Sequence, residues 1–443
     1  MKRITYLFIV LFGLAGWEVA AQERLTLRQC MEIAVENSSK IKTQATEIDD
    51  ARMERRTAIL NTFIPQIAGG TGAAFSFGRA VDPETNTYRS ITSFNNSYSV
   101  GGTLVLFDGF SAVNNLKISK TALKMGYTHE EQLREEIALA TMEAFYNVMF
   151  NEELVEVMEG FVETAKNNLQ LASRQKELGQ KGYADVVQFE AELANREYDL
   201  VTARNNRDLA LMTLKDIMLF PVDQELTIEA DTKQIPEITT PSYGETAAIA
   251  RQNQPSVLLA EGTMNNAYSK LNSAKWSLLP TLSVSGGWST SYYSYDGQKT
   301  ADFRSQFKGN RGEFVQFNLS IPIFGGLIRH AQIAKAKHAC KRAEIEYKQT
   351  LHDVEQEVAR AILEYEGAAK ALTQAEKRAS VQEEAYRLNQ SKLERGLISP
   401  LEFQTASNQY LKSRAERMDA LLKYRLKQSV IRYYQGESYM DQN

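Results

Sequence analysis

An internal duplication is the strongest constraint on what this 443-residue chain can fold into. The run FIPQIAGGTGAAF, Phe63 to Phe75, reappears as LLPTLSVSGGWST, Leu278 to Thr290, at an offset of 215 residues. LFDGF (Leu106 to Phe110) returns as IFGGL (Ile323 to Leu327) at offset 217. KGYADVVQFEA from Lys181 returns as RGLISPLEFQT from Arg395 at offset 214, and IAVEN (Ile33 to Asn37) as IARQN (Ile249 to Asn253) at offset 216. Four landmarks at nearly constant offset define a repeat whose period is too long for a solenoid unit, so each copy is a substantial subdomain. The expected division is a targeting segment at 1–22, repeats at 23–235 and 236–436, and a tail at 437–443.

Most of each copy reads as helix of unusual length. Residues 111–178 and 327–395 contain no proline. Each run corresponds to about 100 Å of helix. Leu351, Val354, Val358, Ala361, Tyr365, Ala368, Leu372, Ala375 and Ala379 alternate spacings of three and four. Ile137, Ala144, Val148, Val155, Met158, Val162, Ala165, Leu169 and Ala172 follow the same heptad, with Thr141 and Asn151 as its polar steps. A sustained 3.5-residue repeat predicts coiled-coil packing on a partner helix. Turns at Gly179–Ala184 and Gly396–Pro400 end the rods, with Asp185 or Ser399 placed to cap the next helix. Returning helices are predicted over about 185–219 and 400–434, so each copy holds an antiparallel hairpin.

Between the helices the period switches to two, with strands predicted at about 65–77, 95–107, 280–294 and 313–324. Val315, Phe317, Leu319, Ile321 and Ile323 alternate with Gln316, Asn318, Ser320 and Pro322. Leu282, Val284, Gly286 and Trp288 alternate with Ser283, Ser285, Gly287 and Ser289, and Tyr98, Val100, Leu104 and Leu106 share a face of the second strand. About ten residues is the length that crosses a bilayer as a tilted strand, and Ser, Gly, Asn and Gln suit a water-filled interior. Polar, aromatic-rich loops are expected at 78–96 and 295–313.

Four strands cannot close a barrel, and open edges do not survive in lipid. The barrel must then be shared between chains: two would give eight strands, three would give 12 and an open pore. The rods favour three or more, since they must also close around something hollow. Lys2, Arg3, the apolar stretch from Ile4 to Trp17 and the small residues Val19-Ala20-Ala21 read as an export signal cleaved before Gln22. The formal net charge of −4 gives no sign of a nucleic-acid partner. Cys30 and Cys340 occupy non-equivalent repeat positions; export permits a disulfide between them, and the favoured reading is two buried thiols.

The motifs FIPQI and LLPTL, LFDGF and IPIFGGL, the tips KGYADVVQFEAEL and RGLISPLEFQTASNQYL, and LTLRQCMEIAVENS near the mature N-terminus together resemble the TolC-like outer membrane efflux family. The resemblance covers nearly all of residues 23–436. It implies a mostly α fold with a transmembrane β-barrel: duplicated long-helix coiled-coil hairpins and four strands per chain, closing as a homotrimeric 12-stranded barrel on a helical barrel. It also implies an outer-membrane exit duct of a tripartite efflux or type I secretion system. Its partners would be outer-membrane lipid, a periplasmic adaptor and an inner-membrane transporter. The adaptor is expected at Gly182, Tyr183, Ala184, Gly396, Leu397, Ile398, Ser399 and Pro400, and Glu402 and Asp185 are candidates for an acidic gate ring. Tyr183, Leu397 and Ile398 are expected to be exposed.

No catalytic, metal or cofactor site is expected. His129, His330, His338 and His352 fall on the rods without a zinc pattern. Gly69-Gly70-Thr71-Gly72 lacks the GK[ST] ending of a phosphate loop and lies within a strand. The rival reading is an exported coiled-coil scaffold or adhesin without a pore. It accounts for the rods, but not for strands that alternate apolar with polar.

Overall fold

The computed structural model describes residues 24–81, 86–229, 238–296 and 299–442. The expected targeting segment and the expected repeat boundary at 235/236 lie outside them. In the first repeat, α1 (Leu27–Asn37) and α2 (Ser39–Phe63) lead to β1 (Gln66–Val81) and β2 (Tyr88–Phe107), then to the rod α3 (Ser111–Glu177) and the returning α4 (Tyr183–Met218). The second repeat runs α5 (Tyr243–Asn253), α6 (Pro255–Trp276), β3 (Thr281–Tyr295), the short α7 (Phe303–Gly309), β4 (Gly312–Ser320), the rod α8 (Ile328–Glu394) and α9 (Pro400–Tyr434). A 3₁₀ turn at Tyr439–Asp441 closes the chain on α3. Among the described residues no helix is long and apolar enough to cross a membrane.

Local chemistry sets the element ends. Thr26 and Gln29 form a reciprocal capping box on α1, and Pro255 opens α6, where its missing N–H is no loss. Both strand-to-rod junctions turn through two consecutive left-handed residues, Gly109-Phe110 and Gly326-Leu327. A Cβ on Gly109 would stand 2.8 Å from the Trp276 carbonyl oxygen, so that corner requires glycine.

The expected heptad is the buried seam. Val148, Val155, Val162, Ala165 and Ala172 of α3, and Val354, Val358, Ala361, Tyr365, Leu372 and Ala379 of α8, are buried. Each returning helix is only about half as long as its rod, so α4 and α9 cover the tip-side halves. The barrel-side halves pack on α2 and α6, and α3 also packs on α6, which joins the repeats. The largest apolar core lies at mid-length, where Cys30, Phe145, Val148, Leu214, Met218, Val358, Tyr365 and Tyr424 meet. The Tyr365 and Tyr424 hydroxyls lie 3.1 Å apart there. Both cysteines are free and buried, and burial pushes the Cys30 thiol up to about 12.

The strands form one antiparallel sheet in the order β1-β2-β3-β4. The repeat offsets transpose its register: Gln66 opposite Thr103 in the first hairpin becomes Thr281 opposite Ser320 in the second. Pairing of β1 with β2 continues outward to Val81 opposite Tyr88, so most of the stretch expected as a loop at 78–96 is strand. Phe75 and Phe94 pack across it with centroids 4.7 Å apart, and polar residues are compatible with a strand end standing in water. The segment expected as a second loop carries α7. β4 ends at Ser320, ahead of Pro322, which has no N–H for a ladder. A register shift between Val105 and Phe107 takes Leu106 out of pairing, so its alternation with Leu104 is broken.

The two faces of the sheet differ as the alternation predicts. Ile67, Val100, Leu104, Val284, Val315 and Phe317 share one face by register, and Val315 and Phe317 are 74% and 68% exposed. Ser97, Ser99, Thr103, Ser283, Ser285, Ser289, Gln316 and Asn318 share the other. Phe314 also lies on that polar face, and its ring covers Gly287: a Cβ added there would meet Phe314 Cε1 at 2.9 Å.

Candidate functional site

The far ends of the two hairpins have the same geometry. Gly179 and Gly396 adopt φ +71° and +70°. At each, two bonds satisfy the last rod carbonyls: Gly179 N–H to Lys176 O and Gln180 N–H to Gln175 O, then Gly396 N–H to Leu393 O and Leu397 N–H to Lys392 O. Gly182 and Ser399 cap the returning helices. Asp185 and Glu402, three residues on, accept from the backbone N–H of Gly182 at 3.1 Å and of Ser399 at 3.0 Å. Asp185 is therefore not itself the cap residue. Both carboxylates expected as a gate ring are at work closing their own helix starts.

Tyr183 and Leu397 stand 70% and 69% exposed at the two tips. Ile398 differs from its expectation: it packs against the buried cluster of Ala172, Phe189, Leu393 and Phe403, which holds the two tips together. Lys176 and Lys181 lie over the Tyr183 and Phe189 rings, each at 4.8 Å. Ala184 is exposed beside Tyr183, and Pro400 is half-buried at the start of α9. Pro400, Leu401, Phe403 and Gln404 of the second hairpin face Phe189, Glu192 and Asn195 of the first across a cleft of about 210 Å³.

One turn above that cleft the hairpins are clasped by side chains that no motif marked. The Arg196 side chain is 5% exposed, although it is cationic. It donates to Glu192 at 2.7 Å within α4 and to Asn408 of α9 at 2.6 Å, and Asp199 lies 3.6 Å away. Its guanidinium sits 5.5 Å from the Phe161 ring centre, above an aromatic cluster in which Tyr386 stacks on Tyr410 at 5.0 Å. Gln404 donates to Glu192, and Arg414 of α9 pairs with Glu153 of α3. A buried guanidinium is tolerable only with such donors satisfied. In sequence Arg196 reads as an ordinary solvated helix residue, and the one available signal was Phe161, apolar beside the seam. Among the described residues no group of three or more His, Cys, Asp or Glu is placed to hold a metal ion.

A family model described as outer membrane efflux protein matches residues 31–218 and 247–435, nearly the whole of both repeats. The chain belongs to the outer membrane efflux protein family. As a member it is an outer-membrane protein with a long periplasmic helical part. This outer membrane efflux protein is similar to outer membrane protein TolC of Salmonella enteritidis, 23% identical over 347 residues covering 76% of this chain and 66% of that protein. It is 24% identical to TolC of Escherichia coli (strain K12) over 350 residues, 76% of this chain and 67% of that one. The chain thus spans about two thirds of the length of these curated relatives. The crystal structure of the Campylobacter jejuni CmeC outer membrane channel has the same fold, with a TM-score of 0.78 at 15% identity, over 100% of this chain and 95% of that one.

Proposed function

We propose that three copies of this chain close into a 12-stranded barrel continued by a helical tunnel, the exit duct of a tripartite efflux or type I secretion system. Residues 1–21 are removed on export, by cleavage before Gln22. The duct makes and breaks no bonds: the serine- and glycine-lined face of the sheet surrounds water, and energy comes from an inner-membrane transporter. A periplasmic adaptor meets the exposed tip residues, including Tyr183 and Leu397, and passage is controlled where Arg196, Glu192, Gln404 and Asn408 tie the hairpins together.

The observation that carries this reading is the pair of open sheet edges. β1 and β4 both present unpaired backbone and an apolar face, which a single chain cannot keep in lipid. The repeat offsets that transpose the first hairpin onto the second also transpose the β2–β3 seam onto β4 and β1 of the next protomer. Ser99 opposite Ser289 becomes Gln316 opposite Ala74 of the next protomer, and Val100 opposite Trp288 becomes Phe317 opposite Ala73. Val315, Phe317 and Leu319 of β4 then meet the outward face of β1, and Phe314 stays on the polar face.

Two measurements test it. Light scattering of the detergent-purified mature protein, corrected for bound detergent, is expected to return three chains. Gln316→Cys with Ala74→Cys in one chain is expected to give covalent trimers on mild oxidation. Gln316→Cys with Ala73→Cys puts the thiols on opposite faces and is expected to give none. A water-soluble monomer, or trimers from both pairs alike, would sink the reading.

A further inference from the structure

Helix α7 is folded onto the outward, apolar face of the sheet. Phe303 and Phe307 lie one turn apart and rest on Tyr98 (centroids 6.1 and 5.5 Å), with Phe307 5.8 Å from Trp288 and Phe303 5.5 Å from Tyr292. The helix is pinned there. Thr290 Oγ1 donates to the Phe307 carbonyl at 2.8 Å. The buried Gln306 accepts from Tyr293 N–H at 3.0 Å and donates to the Tyr293 carbonyl at 2.9 Å. Asn310 donates to the Ser291 carbonyl at 2.8 Å.

Beyond the aromatic contacts, Arg304 and Lys308 stand one turn apart on α7, Arg311 follows its C-cap ahead of β4, and all three are exposed. None of the three has an ion-pair partner among the described residues. Of the acids nearby, Asp302 is occupied accepting from the Arg304 and Ser305 N–H groups, and Asp296 and Glu313 leave the segment net basic. The level is equally specific. Toward the rods the face is mainly aliphatic, with Ile67, Leu104, Val284 and Leu319 around a single Phe317, while at α7 the rings of Tyr98, Trp288 and Tyr292 gather, the pattern of a hydrocarbon-to-headgroup boundary. A helix with apolar rings down and basic residues on its polar face suits that boundary. Guanidinium forks match phosphate oxygens in two-point contact.

We propose that α7 is a docking site for the phosphate-bearing headgroup of an anionic outer-leaflet lipid, held by Arg304, Lys308 and Arg311 while its acyl chains lie against the aliphatic face below. Aromatic residues close the inner side, so the ligand arrives laterally from the bilayer. The assignment rests on the barrel reading above, and the experiment separates the two.

Trp288 packs on Phe307 and reports on the site. With Trp276→Phe it is the sole tryptophan of the mature chain, since Trp17 falls in the segment expected to be cleaved. The protein is reconstituted in phosphatidylcholine vesicles holding a minor fraction of brominated phosphatidylglycerol or, separately, brominated phosphatidylcholine, and quenching of Trp288 is read. A basic residue near an anionic surface is worth about fivefold in lipid association. We expect at least that preference for the brominated anionic lipid, falling to near one in R304Q/K308Q/R311Q and retained in R304K/R311K. Equal quenching by both lipids in the unsubstituted site, or a preference that survives R304Q/K308Q/R311Q, overturns the proposal and leaves the barrel standing. Loss of the preference to inorganic phosphate, at ionic strength matched with sodium chloride, marks a small-anion site and overturns the lipid assignment. Absence of quenching by either lipid places Trp288 outside a bilayer and sinks the barrel reading instead.

Discussion

Replacing Asn408 with alanine removes the bond by which the Arg196 guanidinium reaches the second hairpin, while leaving its pairing with Glu192 inside α4 intact. A hydrogen bond to a charged group is worth about 1.5–3 kcal/mol. Asn408 keeps solvent contact although Arg196 does not, so the lower end, about 1.5 kcal/mol, is the better figure. If opening of the duct parts α4 from α9, that energy is lost only on opening. The open state then gains about tenfold in population per protomer. Single-channel recording in planar bilayers reads the open fraction directly. Arg196→Ala should open the duct at least as much, since it removes the same bond between α4 and α9. The double variant should fall short of the sum, because the two residues share one bond. An open fraction within twofold of wild type in both single variants would refute the clasp as a gate element and leave it a packing detail.

Two further outcomes are expected from the packing. Glu135 accepts from Ser438 Oγ and the Tyr439 N–H, yet its burial outweighs both bonds and holds its pKa above the usual carboxylate range. Stability contributed by this group is complete below the ordinary carboxylate value and is lost as pH rises through the raised one. Thermal unfolding across that window should show wild type losing ground to Glu135→Gln as pH increases; a difference that moves the other way would contradict the burial argument. Gly287→Ala places a Cβ 2.9 Å from the Phe314 ring and 3.0 Å from the Val100 carbonyl oxygen. The ring can turn but the carbonyl cannot, so a loss of about 1–3 kcal/mol is expected. It should appear as a lower temperature for barrel dissociation in dodecyl sulfate. Gly286→Ala, whose nearest neighbour would be the Phe314 carbonyl at 3.5 Å, should be much milder; equal effects would refute the contact.

What could be read from the sequence was whatever repeats locally. The seam from Val148 to Ala172 and its counterpart from Val354 to Ala379 were legible because each rod carries its own period, and both are buried. The tip glycines Gly179 and Gly396 were legible because a left-handed residue ending a helix has few alternatives. The outer ends of β1 and β2 were not, because a strand standing in water has the composition of a loop. α7 was hidden for a different reason: seven residues are too few for a helical period, and what holds it is tertiary, the rings of Tyr98, Trp288 and Tyr292 and hydrogen bonds to β3. The clasp was beyond reach altogether. Arg196 and Asn408 are 212 residues apart, and nothing local separates a buried arginine from a solvated one.

The two rods α3 and α8 are each 67 residues long. Equal lengths lift both hairpin ends to one level. In a threefold assembly six tips would then share a rim, alternating between one that offers Tyr183 beside Lys176 and one that offers Leu397 ahead of Pro400. A partner gripping the rim by shape would find six equal seats; one gripping it by chemistry would find two kinds, three of each. Height carries the symmetry of the duplicated half, and side chains carry that of the whole chain.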